Sequence, residues 1–101
     1  MAIDIDAARA QQRELNMVAD EVAYVKRRLQ RHQETLDAAW KSPEIKGMDA
    51  VIEELIRRLN RLSGELENLG HDVMVTAQEI KTEEEEALLA AEEALRMAAE
   101  N

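Results

Sequence analysis

Leu36-Asp37-Ala38-Ala39-Trp40-Lys41-Ser42-Pro43 interrupts an otherwise helical pattern near the middle of the chain. Pro43 disfavours the α conformation at Ser42, so a helix arriving from the left must end by about Lys41. Ser42 is a natural N-cap, and Pro43 suits the first position of a new helix, where a missing N–H costs nothing. Gly47 leaves room for a second start at Asp49. The stretch therefore reads as a short turn between two helices, and a short turn folds the second helix back antiparallel to the first.

To the left, the apolar residues recur at helical spacing. With Leu15 as position a, that series reads Ala8, Leu15, Val22, Leu29 and Leu36. The d series reads Gln11, Val18, Val25, His32 and Ala39. Asp4 or Asp6 is the expected N-cap. To the right, position a carries Ile52, Leu59, Leu66, Val73 and Ile80, and position d carries Met48, Leu55, Leu62, Leu69 and Thr76. A repeat of about 3.5 residues sustained over this length implies left-handed, coiled-coil-like packing. Gly70 could end a helix and Asp72 cap another, but both series pass through Gly70 in register, so helix two is expected to continue there, at a cost of about 1 kcal/mol relative to Ala. The expected layout is a helical hairpin over 1–82: helix one about 6–40, a turn at 41–47 and helix two about 48–82. An acidic, Ala-rich tail, helical or frayed, follows over 83–101.

Antiparallel arms place residues side by side when their numbers sum to about 87. The expected hairpin seam is Leu15, Val22, Leu29, Leu36, Leu55, Leu59, Leu62, Leu66 and Val73. Lys26, Arg27, Arg28 and Arg31 then share a height with Arg57, Arg58 and Arg61, a basic collar around the waist. Helix one runs out opposite residue 82, which leaves the tail overhanging. Arms of this length make a hairpin of roughly 60 Å with one seam and no three-dimensional core, a shape that rarely holds alone. Apolar residues outside the seam point the same way: Met17, Tyr24, Trp40, Val51, Ile56, Met74 and Val75. Position e of helix two, with Ile56, Ser63, Gly70 and Ala77, is a mostly small stripe that permits close helix approach. We therefore expect dimerisation into a four-helix bundle.

Composition limits the chemistry. The chain has 101 residues, 22 acidic and 13 basic side chains, a net charge of −9, no cysteine and no Phe. This excludes a disulfide framework, a Cys-based metal site and a thiol nucleophile. No run approaches the roughly 18 apolar residues of a membrane span. The first residues lack a basic segment followed by an apolar one, so a cleavable signal peptide is not expected. No Glu-x-x-His pattern and no Gly-rich phosphate loop occur, and the carboxylates fall on helical faces rather than around a foreseeable pocket. An enzyme is not expected, and no cofactor or metal is implied. His32 reads as a tolerated seam residue and mild pH sensor, too far from His71 for a shared metal. The collar lacks interleaved aromatics and the net charge opposes nucleic acid, so a solvated face or an acidic protein partner is the simpler reading. Trp40 reads as packing across the turn against Leu36 and Val51, or as a recognition residue at the bundle tip.

Length, two antiparallel helices and a Trp in the turn together resemble the WXG family (ESAT-like) of small helical-hairpin proteins of type VII secretion systems, over roughly residues 5–90. Trp40-Lys41-Ser42 stands where that family has Trp-x-Gly, with Ser42 in the Gly position. The family's Tyr-x-x-x-Asp/Glu export motif finds its best match in Ile80 to Glu84, with Ile80 in place of the Tyr. The resemblance implies a bacterial protein that acts by helix-bundle dimerisation. It would be exported from the cytoplasm to the surface or medium without a cleaved signal. The implied partners are a second similar hairpin, as homodimer or heterodimer, or the N-terminal helical domain of a larger substrate, and a secretion ATPase. Alternatives are a cytoplasmic helical adaptor or chaperone for a larger toxin or effector, and a needle-like secretion filament subunit.

Overall fold

A computed structural model describes residues 2–100; Met1 and Asn101, which close the expected ranges, lie outside them. Two helices account for the fold: α1, Ile5–Ala39, and α2, Pro43–Glu100. Asp4 caps α1, its carboxylate accepting the Ala7 N–H at 3.0 Å. The Trp40 N–H closes the helix onto the Leu36 carbonyl at 2.8 Å. Pro43 opens α2, and the Ile45 N–H donates to the Ser42 carbonyl at 3.1 Å. The turn is therefore residues 40–42, shorter than the expected 41–47. Gly47 lies inside the helix rather than before a second start, because one Gly near the start of a long helix costs too little to stop propagation.

α2 runs unbroken through Gly70 and on to Glu100, so the tail is helix rather than a frayed end. The molecule is a rod of 89 × 18 × 14 Å. Its length is that of α2 alone, since 58 helical residues at about 1.5 Å rise fill it. Residues 85–100 are exposed all round, with nothing on their own chain to pack against.

The seam differs from the expected one in a single, systematic way. Ala8, Leu15, Val22, Leu29 and Leu36 of α1 face α2, as do Ile52, Leu59, Leu66, Val73 and Ile80 in return. The second row of the seam is position e, not d. It comprises Gln12, Ala19, Lys26 and Gln33 on α1, and Asp49, Ile56, Ser63, Gly70, Ala77 and Glu84 on α2. Leu55 and Leu62, expected in the seam, are instead 45% and 43% exposed. His32 likewise faces solvent rather than the seam.

The physical reason is helix approach. Ala19 is fully buried, and the Ser63 hydroxyl donates to its carbonyl at 3.0 Å. A Cβ at Gly70 would stand 3.3 Å from the Gln12 Cγ and 3.5 Å from the Leu15 Cβ. Small residues at e let the two backbones close up, and Leu at d cannot occupy the same narrow space. The fully packed positions among the described residues are Ala8, Ala19, Gly70 and Ala77, all small. No large side chain among them is fully buried. The hairpin has a zipper and no core.

Candidate interaction surface

Leaving d out of the seam creates the main feature of the surface. Positions a and e lie within about 40° of each other on a helix, with d turned about 80° to one side of them and b about 80° to the other. Antiparallel helices that use the same positions are related by a two-fold, so their d rows emerge on the same flank of the hairpin. The shallow groove near the open end shows this directly. It is lined from both helices by Gln11, Leu69 and Thr76 at d, beside Ala8, Val73 and Ala77 of the seam.

The d flank carries Val18 and Val25 from α1 and Met48, Leu55, Leu62 and Leu69 from α2, each between two-fifths and about half exposed. The opposite flank is polar. It carries the cross-helix contact of the Lys26 ammonium, which donates to the Asn60 side-chain oxygen at 3.0 Å. It also carries an acidic cluster near the turn. There Asp37 lies against Asp49 and close to Glu53, and a side-chain hydrogen bond with Asp49 holds the Asp37 carboxyl above the usual 3.8. The Gln33 amide donates to Asp49 at 3.5 Å. The hairpin is thus two-faced, one flank apolar and one hydrophilic.

The basic collar is brought to one height, as the Lys26–Asn60 contact shows, but its members do different things. The Arg28 guanidinium stacks 5.9 Å from the Tyr24 ring centre. Arg57 and Arg58 share the Glu54 carboxylate at 2.8 and 3.2 Å. Those two donors, Arg57 first, hold Glu54 below the usual carboxylate range. Arg27, Arg31 and Arg61 form no ion pair among the described residues.

Trp40 does not pack across the turn. It is 61% exposed, as is Val51 at 69%, because a turn of three residues carries the indole outward at the pole of the rod. Ser42 caps by its carbonyl. At the other pole, Ile80 is half-buried in the seam and the Glu84 carboxylate accepts the Ile3 N–H through both oxygens, at 3.1 and 2.9 Å. This clasp ties the start of the described chain to α2. Sequence reasoning missed it because the partners are 81 residues apart and one is a backbone amide.

Searches against protein-family models, curated proteins and solved structures gave no match. Among the described residues, no helix is long and apolar enough to cross a membrane.

Proposed function

We propose that this chain is a non-enzymatic, WXG-like helical hairpin, a substrate or export partner of a type VII secretion system, which acts by associating into a four-helix bundle. The observation that carries association is the apolar d flank. A two-helix hairpin with no fully buried large side chain leaves six aliphatic or thioether side chains in one continuous stripe. Apolar stripes of this kind drive helix-bundle formation when a second hairpin covers them. The turn with Trp40 and Ser42, the hairpin arithmetic and the overall length support the secretion reading by resemblance. The reading assigns no chemistry to the chain, and its partner is a helical hairpin or a helical domain of a larger substrate.

The experiment is expression in a bacterium with a type VII apparatus, with and without the secretion ATPase. The protein is expected in the medium of intact cells only when the ATPase is present. A helical complex that stays in the cytoplasm in both strains supports the adaptor reading instead.

Helix two also supplies a surface for recognition by other components. Residues 83–101 hold seven acidic side chains and one basic, so two-thirds of the net charge sits on the overhang. Leu88, Leu89, Leu95 and Met97 are all exposed along it. An apparatus that reads this hairpin by charge meets its acidity at one pole.

A further inference from the structure

We infer that the overhanging end of α2 pairs antiparallel with the same overhang of a second copy, joining two rods end to end through Leu88, Leu95 and the alanines between them, with the two-fold axis at the height of Glu92 and Glu93. The contact lies on a different face from the flank proposed for the bundle, and it stands whether or not that flank is covered.

The overhang carries the seam onward without α1. Its a and e positions are Ala87, Ala91, Ala94 and Ala98, in line with Gly70 and Ala77, where the two helices of one chain close up. Leu88 and Leu95 border that row at position b, and Ala90 and Met97 border it at d. Leu88, Leu95 and Met97 are all exposed. The carboxylates stand off this face. Glu85 and Glu92 are at f, and Glu86, Glu93 and Glu100 at g, each turned about 120° from the middle of the row. An exposed apolar face that continues a packed seam is a contact surface left open.

Sterics fix the orientation. Beyond the start of α1 at Ile5, the seam face of α2 looks onto an empty ledge. A second overhang entering that ledge parallel to the first would need its own α2 to run on through the space that α1 occupies. Entering antiparallel, its α2 leaves past Glu100 and meets nothing. The side-chain order fixes the register. With the axis at the height of Glu92 and Glu93, Ala87 meets the second copy's Ala98, and Ala91 meets its Ala94. Leu88 then meets Leu95 on one side of the row, and Ala90 meets Met97 on the other. Each contact occurs twice, as an isologous interface requires. In the same register the second copy's Glu100 comes level with Glu85, just clear of Ile3, which Glu84 holds. The end of one helix then points at the start of another, so opposite ends of two helix dipoles approach.

Charge decides when this contact forms. The overhang holds carboxylates and a single cation, Arg96. Two overhangs side by side bring Glu92 level with Glu92, and Glu93 with Glu93, along the edges of the contact. The apolar face draws the helices together and the carboxylates oppose it. Exposed charges act over about 10 Å at 0.1 M salt and only about 3 Å at 1 M. Salt therefore removes the repulsion and leaves the apolar contact in place. The union is strengthened by salt, the reverse of a contact held by ion pairs.

The test uses the full chain carrying Leu62→Asp, which removes association through the flank at a side chain the single hairpin leaves exposed, with circular dichroism as the fold control. Sedimentation equilibrium at high micromolar concentration should find mainly the 11.5 kDa chain at low salt and its dimer at high salt. The dissociation constant should tighten by roughly tenfold or more between low salt and about 1 M. X-ray scattering of the high-salt species should give a longest dimension of roughly 150 Å, from two α2 helices that overlap only in their overhangs, against 89 Å for one rod. Leu95→Glu should keep the helical spectrum and lose the high-salt dimer, since it places an unpaired carboxylate in the contact. The chain has no cysteine, so Ala91→Cys and Ala94→Cys variants report the register. Mixed, they should form a disulfide between chains, and each alone should form far less. Efficient self-linking of each variant alone overturns the antiparallel register. A longest dimension near that of one rod overturns the end-to-end union. A chain that stays monomeric at high salt, or whose dimer weakens as salt rises, overturns the inference and leaves the bundle reading, which the flank carries, untouched.

Discussion

At the scale of the residue, two positions give sharp tests. Gly64 has open space where a Cβ would stand, whereas Gly70 has Gln12 and Leu15 at contact distance. Gly64→Ala should raise stability by about 0.5–1 kcal/mol through helix propensity alone. Gly70→Leu should lower it by about 1–3 kcal/mol, since the added bulk has to push the helices apart. Thermal melts of the two variants check both. Asp37 gives a pH test. Its carboxyl is raised above 3.8 by the hydrogen bond with Asp49, then by desolvation and the nearby Asp49 and Glu53 charges. A raised carboxyl is held more tightly in the folded state, so it opposes folding at neutral pH and this penalty fades as pH falls through its folded value. Asp37→Asn should therefore melt higher than the wild type at pH 7 and level with it below about pH 4. An equal difference at both pH values would show that the cluster does not titrate with folding.

At the scale of the element, the two helices were legible and one of their faces was not. The a series of both helices is in the seam as expected, whereas the boundaries were open: α2 starts at Pro43 rather than near residue 48, and of Asp4 and Asp6 it is Asp4 that caps α1. The choice of d for the second row came from hydrophobicity, because Leu55, Leu62 and Leu69 outrank Ser63, Gly70 and Ala77 on any apolar scale. Close packing reversed it, since a two-helix contact rewards small residues where backbones approach. The small stripe was visible in the sequence, but nothing local says that a small stripe outranks a large one. The tail is the other element-scale difference. Like charges at Glu83–Glu86 suggest fraying, yet an Ala-rich helix already propagating from α2 needs no new nucleus. Deleting residues 85–100 should leave the melting temperature of the hairpin within about 2 °C, because those residues make no packing contact with α1. A large drop would mean that the overhang folds back.

At the scale of the whole molecule, the rod leaves one flank open, and the proposed four-helix bundle is what would cover it. One flank is closed by the Lys26–Asn60 contact and an acidic cluster, and the other offers valine, leucine and methionine to water. Its stability should therefore rise with protein concentration, as mass action requires of a chain whose folded state binds a partner. A melting temperature that climbs over a hundredfold concentration range is the expected outcome for the wild type, and one that stays flat is expected for Leu62→Asp.

The two helices, the approximate place of the turn, the antiparallel sense and the level at which the cations gather are written in the amino-acid order. All of these follow from periodicity, capping chemistry and the counting of residues along two straight rods. Which side of each heptad faces inward, where Trp40 points and what Glu84 holds are settled by the folded arrangement of the two helices. These depend on distances between atoms far apart in the chain: the space between Gly70 and Leu15, the reach of a three-residue turn, and the meeting of a carboxylate with the Ile3 amide. Hydrophobic pattern records how much apolar surface a helix carries, and packing geometry decides against what it is spent.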